Sequence, residues 1–290
     1  MNPRVRLRRM VSLLDLTSLG QDDTADDVRS LCAAADSPLG LPAAVCVWPR
    51  FVGVAAEALA ARGLAVRVAA VANFPAGAPD PAAAGAETAN ALECGAHEVD
   101  VVFPWRSFLR GDRGAGERLV AACRRECDRA GGERGTSKAN GEKLHAPVLK
   151  VILETGELVD PGTIMEAARV AADQGADFLK TSTGKVPVGA TPGAVRALLG
   201  VIREREGSLG LKISGGVGTV DQAQGYLELV EEVMGEDWIS PARVRFGASR
   251  LLEDILDKAA RLPEGMVPSP GDSSVPERAR EGDRGGVQEP

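Results

Sequence analysis

Eight near-continuously apolar runs are spaced along the first 250 residues. Such runs are typical of strands that are buried on both faces of a parallel sheet. The predicted strands are 11–17, 43–48, 66–73, 97–103, 147–154, 176–182, 209–214 and 243–248.

Helix signals lie between these runs. Asp160-Pro161 and Thr191-Pro192 place a capping side chain before a first-turn proline, and Thr219 with Gln222 forms a potential capping box. Eight strand–helix units in series predict a single-domain α/β fold, a (β/α)₈ TIM barrel, over residues 1–262. A doubly wound open sheet is the alternative, but it usually has fewer strands and a Gly-rich first turn.

Two segments do not fit the repeating pattern. Residues 129–146 are polar and Gly-rich, which predicts an enlarged loop inserted in the barrel. Residues 263–290 contain five prolines, five glycines and no aromatic residue, which predicts a disordered C-terminal tail.

Composition narrows the classes of function. The 290 residues carry a formal net charge of −7 with a pI near 5.1, which argues against a nucleic-acid partner. The apolar runs are too short for a membrane helix, and five scattered cysteines suggest reduced thiols in a cytoplasmic protein. With two histidines and no clustered ligands, we expect neither a metal nor another cofactor.

Three lysines stand inside the apolar runs. These are Lys150, Lys180 and Lys212. A buried ammonium group is costly unless it is paired or deprotonated, and a neutral lysine is a Schiff-base nucleophile. Lys180 and Lys212 come near the ends of the sixth and seventh strands, where a barrel places its active site. Their proximity would lower the pKa of one of them. Lys150 comes early in its strand, so we expect a structural role toward the far end of the barrel.

Acidic residues occur in the same kind of surroundings. Asp100 lies in the apolar run EVDVVF, and it could relay protons or neutralise a barrel lysine as an ion pair. Asp15 and Glu154 are similar candidates with less support.

Glycine-rich turns predict a phosphate site. Gly215-Gly216 follows the seventh strand and Gly247-Ala248-Ser249 follows the eighth, and a helix comes after each turn. Glycine lets backbone N–H groups approach an oxyanion, and barrel enzymes commonly bind phosphate at loops seven and eight.

With these residues in place, the chain resembles the deoxyribose-phosphate aldolase family, which are lysine-dependent aldolases on a (β/α)₈ barrel. The matching blocks follow the family order: LLDLTSL, AVCVWPRFV, VANFPAG, GAHEVDVVFPW, LKVILETGEL, GADFLKTSTGKV, LKISGGV and RFGASRLL.

The resemblance implies reversible cleavage of 2-deoxy-D-ribose 5-phosphate to glyceraldehyde 3-phosphate and acetaldehyde. Lys180 matches the Schiff-base lysine, Lys212 the second lysine, and Asp100 the aspartate of the proton relay. The implied substrate-binding residues are Asp15, Cys46, Thr181, Lys185, Gly215, Gly216, Gly247 and Ser249. The implied partners are the sugar phosphate and acetaldehyde, and we expect a monomer or homodimer.

The chain departs from the family pattern at the phosphate turns and at its end. Gly218 stands where the family commonly has arginine or another polar residue, and Arg250 follows Ser249 in place of a second serine. The only tyrosine is Tyr226, whereas some members end in a tyrosine that reaches the active site. Two alternatives therefore stay open: a related lysine aldolase with altered acceptor or phosphate preference, and a non-catalytic sugar-phosphate binder.

Overall fold

Each of the eight apolar runs contains one strand. The computed structural model describes residues 2–135 and 146–262. Its strands are β1 Leu14–Thr17, β2 Ala44–Val47, β3 Arg67–Ala72, β4 Glu98–Val102, β5 Val148–Ile152, β6 Phe178–Lys180, β7 Gly210–Ser214 and β8 Val244–Ala248.

The strands form a closed parallel barrel in chain order. Each strand pairs with the next, and β8 pairs with β1 through Asp15 and Gly247. The predicted (β/α)₈ barrel is thereby confirmed, and the closure by β8 and β1 contradicts the open-sheet alternative.

Helices alternate with the strands along the chain. They are α1 Pro3–Ser12, α2 Ala25–Ala34, α3 Val52–Ala60, α4 Pro81–Glu93, α5 Trp105–Leu109, α6 Arg113–Gly135, α7 Thr155–Leu158, α8 Pro161–Asp173, α9 Pro192–Glu204, α10 Val220–Met234 and α11 Leu251–Ala260. None of the helices in the described ranges is long and apolar enough to span a bilayer.

The predicted helix starts are confirmed. The side chains of Asp160 and Thr191 each accept a hydrogen bond from a backbone N–H in the first turn of α8 and α9. At α10, Thr219 and Gln222 form both bonds of a capping box. These bonds satisfy N–H groups that have no partner within the helix.

Two predicted boundaries are wrong. The run 11–17 begins as helix, because Met10 and Val11 belong to the buried face of α1, and a short apolar run does not distinguish helix from strand. Residues 129–135 of the predicted loop continue α6. Charge pairs along that helix, such as Arg129 with Glu126 at 2.9 Å, support the extension. The rest of that loop up to residue 145, and the predicted tail 263–290, lie outside the described residues.

The strands bury two different surfaces. Outward-facing residues such as Val45 and Val47 join the large core between barrel and helices. Inward-facing residues of β2 and β3, including Cys46 and Val71, form a small apolar cluster within the barrel. Charged side chains occupy another part of the interior, and these define the candidate site.

Candidate active site

A chain of ion pairs runs through the barrel interior. Its fully buried or nearly buried members are three carboxylates and four cations: Asp15, Glu98, Asp100, Lys150, Lys180, Lys212 and Arg245. They lie at inward-facing positions of six strands, β1, β4, β5, β6, β7 and β8, and Glu98 and Asp100 share β4.

Asp100 is the centre of this network. Its Oδ2 atom lies 2.7 Å from the Nζ atoms of both Lys180 and Lys212, which are register partners on β6 and β7. Its Oδ1 atom lies 2.7 Å from Nζ of Lys150. One carboxylate therefore contacts all three strand lysines. The expectation that Lys150 lies apart, toward the far end of the barrel, is wrong, because its side chain reaches this shared carboxylate.

A second group of charges supports this centre. Nζ of Lys212 is 2.5 Å from Asp15 Oδ2, and Arg245 Nη1 is 2.6 Å from Asp15 Oδ1. Glu98 lies 2.5 Å from Lys150 and 3.2 Å from Arg245. Each carboxylate is thus held by at least two cations, which compensates for its removal from water.

The three lysines differ in the direction of their pKa shifts. Burial lowers the pKa of Lys180; Asp100 opposes this shift, and the charge of Lys212 adds to it. For Lys212 and Lys150, burial also acts to lower the pKa, but the neighbouring carboxylates outweigh it and raise the pKa of both. Lys180 is therefore the strand lysine most readily deprotonated. The sequence analysis attributed the lowered pKa of one lysine to the proximity of the other. For Lys180, burial lowers the pKa more than the charge of Lys212 does.

The carboxylates stay ionised. Burial alone would raise the pKa of Asp100, but the three lysines hold that pKa well below its usual range. The pKa of Asp15 is also lowered, because Lys212, Arg245 and Lys150 outweigh its burial. The network thus joins three carboxylates to four buried cations, and the half-buried Arg67 also pairs with Glu98 at 2.6 Å.

A cavity of about 410 Å³ opens at the carboxyl ends of β1, β6, β7 and β8. Lys180 lines it, together with Thr17, Ser18, Leu19, Gly20, Thr183, Gly184, Lys185, Ser214, Gly215, Gly216, Val217, Gly218, Gly247, Ala248, Ser249 and Arg250. The predicted glycine turns and the predicted nucleophile therefore meet in one cavity.

The backbone at both glycine turns requires glycine. Gly215 and Gly216 have φ of +86° and +87°, a backbone region that favours glycine. A Cβ atom on Gly247 would lie 2.9 Å from the Ser214 Cβ, so this approach also requires glycine. Helix α11 begins directly after β8, so its N-terminus lies at the carboxyl end of the barrel, and no side chain caps its first turn.

Two cationic side chains lie at the cavity. Lys185 donates from Nζ to the Leu19 carbonyl at 2.7 Å, and Arg250 lines the wall beside Ser249. The Ser249 hydroxyl donates to the Thr17 carbonyl at 2.8 Å. The polar wall thus joins the β6, β8 and β1 ends.

The remaining predicted residues lie behind this wall. Asp15, Asp100 and Lys212 are buried below Lys180 in the ion network. Cys46 is buried in the small apolar cluster, and burial raises its pKa. The Thr181 hydroxyl donates to the Ser214 carbonyl at 3.0 Å, so it links β6 to β7 and does not line the cavity.

Sequence reasoning missed Arg245 and Glu98. Both carried a readable signal, because each is a charged residue within an apolar strand. Glu98 also stands two positions before Asp100, which places both side chains on the same face of β4. Tyr226, the only tyrosine, donates to the Ala190 carbonyl at 2.9 Å and is not among the residues that line the cavity.

Comparison with known proteins agrees with this geometry. Residues 9–253 match the DeoC/LacD family aldolases. The chain is 44% identical over 261 residues to a deoxyribose-phosphate aldolase of Agrobacterium fabrum, a match that covers 89% of this chain and 93% of that relative.

Solved structures show the same architecture. An apo structure of a candidate deoxyribose-phosphate aldolase from Toxoplasma gondii ME49 has a TM-score of 0.75 at 25% identity, covering 90% of this chain and 98% of that one. The tetrameric deoxyribose phosphate aldolase of Aeropyrum pernix has a TM-score of 0.66 at 25% identity, covering 90% and 97% of the two chains. The resemblance seen in the sequence is thus confirmed, and the chain belongs to the DeoC/LacD aldolase family.

Proposed function

We propose that this aldolase cleaves 2-deoxy-D-ribose 5-phosphate reversibly to D-glyceraldehyde 3-phosphate and acetaldehyde through a Schiff base on Lys180. The observation that carries the proposal is the state of Lys180. It is the strand lysine whose pKa is lowered, and it lines a cavity that the glycine turns also line. A neutral amine in such a place is a nucleophile toward an aldehyde.

The reaction follows from the chemistry of amines. The Lys180 amine attacks the C1 aldehyde, and loss of water produces an iminium that withdraws electrons from the adjoining bond. Asp100, through a water molecule held beside the Lys212 ammonium, takes the proton of the C3 hydroxyl. The C2–C3 bond breaks, its electron pair forms an enamine, and C3 becomes the aldehyde of the released product. Protonation of the enamine at C2 and hydrolysis then release acetaldehyde and the free lysine.

The phosphate end of the substrate would face the polar wall. The turns at Gly215-Gly216 and Gly247-Ser249 can bring backbone N–H groups to an oxyanion, and the uncapped N-terminus of α11 favours negative charge. Lys185 supplies a positive charge on one side. Arg250 supplies another, which would compensate for the absence of a cation at Gly218.

Adduct trapping tests the proposal. Incubation with acetaldehyde and borohydride, followed by peptide mass spectrometry, is expected to place a reduced adduct on Lys180. Lys180→Leu should lose it, and Lys185→Leu should keep it, because acetaldehyde carries no phosphate. Absence of any adduct in the wild-type protein would rule out the Schiff-base mechanism and favour a non-catalytic binder.

A substrate comparison separates the remaining alternative. Turnover of deoxyribose 5-phosphate is expected to exceed that of deoxyribose. An adduct on Lys180 together with equal turnover of the two sugars would indicate a related lysine aldolase with a weaker phosphate preference.

Two further expectations belong with this proposal. All five cysteines are free, which supports a reducing, cytoplasmic location. A monomer or homodimer stays the expected assembly, and light scattering coupled to gel filtration measures it directly.

A further inference from the structure

Glu154, the residue that follows Leu153 after β5, combines two unusual features. It is completely buried, and its backbone is left-handed, with φ of +57° and ψ of +58°. A residue other than glycine rarely adopts this conformation, because its Cβ atom comes too close to the following carbonyl oxygen. Burial of a carboxylate adds a further cost unless the group is paired or hydrogen-bonded.

The backbone on both sides of Glu154 is tied to the predicted nucleophile's strand. Leu153 N–H donates to the Lys180 carbonyl at 2.9 Å, and Thr155 N–H donates to the Thr181 carbonyl at 2.8 Å. The strained residue is therefore held between two hydrogen bonds to consecutive carbonyl groups that begin at Lys180.

The Glu154 side chain reaches the next part of the same segment. Its Oε1 atom accepts from the Thr183 N–H at 3.1 Å, and its Oε2 atom accepts from the Thr183 hydroxyl at 2.6 Å. The same hydroxyl accepts from the Lys185 N–H at 3.0 Å. A relay of hydrogen bonds thus runs from the buried carboxylate to the backbone of Lys185.

The relay reaches residues that line the cavity, but Glu154 itself does not line it. Thr183, Gly184 and Lys185 all line the cavity, and Glu154 is not among its lining residues. Both carboxylate oxygens are already engaged with Thr183. An acid–base role at the substrate is therefore disfavoured, and the contacts describe a residue that acts through the loop.

We propose that Glu154 is a positioning residue that holds Thr183–Lys185 in place, so that Lys185 can pair with the phosphate of the substrate. The inference rests on the proposed function for the identity of that phosphate. Glu154 thereby sets how strongly the enzyme prefers a phosphorylated sugar, while Lys180 retains its own chemistry.

Four variants test this role. Glu154→Gln preserves side-chain size but removes one of the two acceptors, and Thr183→Val removes the hydroxyl that links Glu154 to Lys185. Thr183→Ser restores the hydroxyl. Glu157→Gln is the matched control. It removes the carboxylate of Glu157, in the short helix α7 that begins after Glu154, and this carboxylate makes none of the hydrogen bonds of the relay.

Three measurements are made on each full-length protein. They are the kcat/KM ratio of deoxyribose 5-phosphate over deoxyribose, the affinity for inorganic phosphate by calorimetry, and acetaldehyde trapping on Lys180. Glu154→Gln and Thr183→Val are expected to lower the ratio about tenfold, chiefly through KM, and to weaken phosphate binding to a similar degree. Both variants should still form the adduct on Lys180, although Glu154→Gln removes a negative charge that interacts with Lys180 and so shifts trapping toward lower pH. Thr183→Ser and Glu157→Gln should resemble the wild-type protein.

The outcomes separate the two proposals. Equal losses with both sugars, or unchanged phosphate binding in Glu154→Gln, would overturn the positioning role while leaving the aldolase intact. Wild-type protein that binds phosphate, and loses that binding in Glu154→Gln, but traps no acetaldehyde would overturn the Schiff-base proposal and leave the role of Glu154 in anion binding standing.

Discussion

Lys180 shares its nearest carboxylate oxygen with Lys212, and this sharing adds to the effect of burial on the pKa of Lys180. Asp100 Oδ2 lies 2.7 Å from both Nζ atoms, so the two ammonium groups compete for one carboxylate oxygen and repel each other. Lys212 also contacts Asp15 at 2.5 Å, so it retains its proton more strongly. Lys180 therefore loses its proton more readily than Lys212, and the Asp100 carboxylate is its one ion-pair partner in the described network.

The pH profile of adduct formation should move in opposite directions in two variants. Lys212→Met removes a charge that lowers the pKa of Lys180, so that pKa rises and trapping shifts to higher pH. Asp100→Asn removes a charge that raises it, so trapping shifts to lower pH. The initial rate of acetaldehyde trapping as a function of pH measures both shifts.

Turnover provides the companion measurement. Both variants should also lose about a hundredfold or more in sugar cleavage, because both residues belong to the proposed proton relay. Profiles that move in the same direction would contradict the assignment of opposing charges.

At the scale of elements, the active end of the barrel depends on close contact between neighbouring turns. The segment after β6 returns to the turn after β7, where the Ala190 N–H donates to the Gly215 carbonyl at 3.0 Å. Gly189 lies so near that an added Cβ would be 2.3 Å from that carbonyl oxygen. Such contacts explain why glycines cluster here.

Gly189→Ala is expected to separate these two turns. Overpacking against the Gly215 backbone should reduce the free energy of unfolding by about 1–3 kcal/mol and raise KM for the phosphorylated sugar. Gly193→Ala, an exposed position in the first turn of α9 with no atom within 4 Å of an added Cβ, is the control. Denaturant unfolding and steady-state kinetics of both variants measure these effects. Equal stability and equal KM in the two variants would contradict the importance of the Gly189 contact.

The turn after β7 has room for a side chain at Gly218. An added Cβ would meet no atom within 4 Å, and Gly218 lines the cavity. Gly218→Arg should therefore add a cation near the phosphate and lower KM for deoxyribose 5-phosphate, with no change for deoxyribose. Gly218→Gln, which adds length without charge, is the control. An equal effect of both substitutions would show that charge is not responsible.

At the scale of the whole molecule, charges are divided between a buried network and a solvated surface. Arg245 is about 6% exposed in its side chain and contacts Asp15 and Glu98. Arg196 pairs with Glu232 on the surface, where the two side chains are 56% and 61% exposed. Removal of Arg245 would leave buried carboxylates that water cannot reach. Removal of Arg196 would leave Glu232, which water already solvates.

The same substitution should therefore have different costs at the two sites. Arg245→Met is expected to reduce the free energy of unfolding by about 3–5 kcal/mol, because it leaves Asp15 and Glu98 with fewer cations in the interior. Arg196→Met should cost less than about 1 kcal/mol. Urea denaturation measures both, and similar small losses would show that the interior charges are compensated by other means.

Much of this structure could be predicted from the sequence. The eight strands, the barrel, the helix caps at Asp160, Thr191 and Thr219, and the family were all predicted, because burial on two faces and capping leave local patterns in sequence. The boundary of β1 and the end of α6 were not, since short apolar runs and glycines fit more than one element.

The sequence by itself determined which residues could carry the chemistry: three lysines and two aspartates in strands, and glycines in the turns after β7 and β8. Only the tertiary structure decided their relations. In the folded barrel Lys150 contacts Asp100, and burial lowers the pKa of Lys180 more than Lys212 does. The structure also revealed the ion pairs of Arg245 and Glu98 and the hydrogen bonds of Glu154. The physical reason is distance, because ion pairing and desolvation depend on atoms that residues far apart in the chain bring together only when the barrel closes.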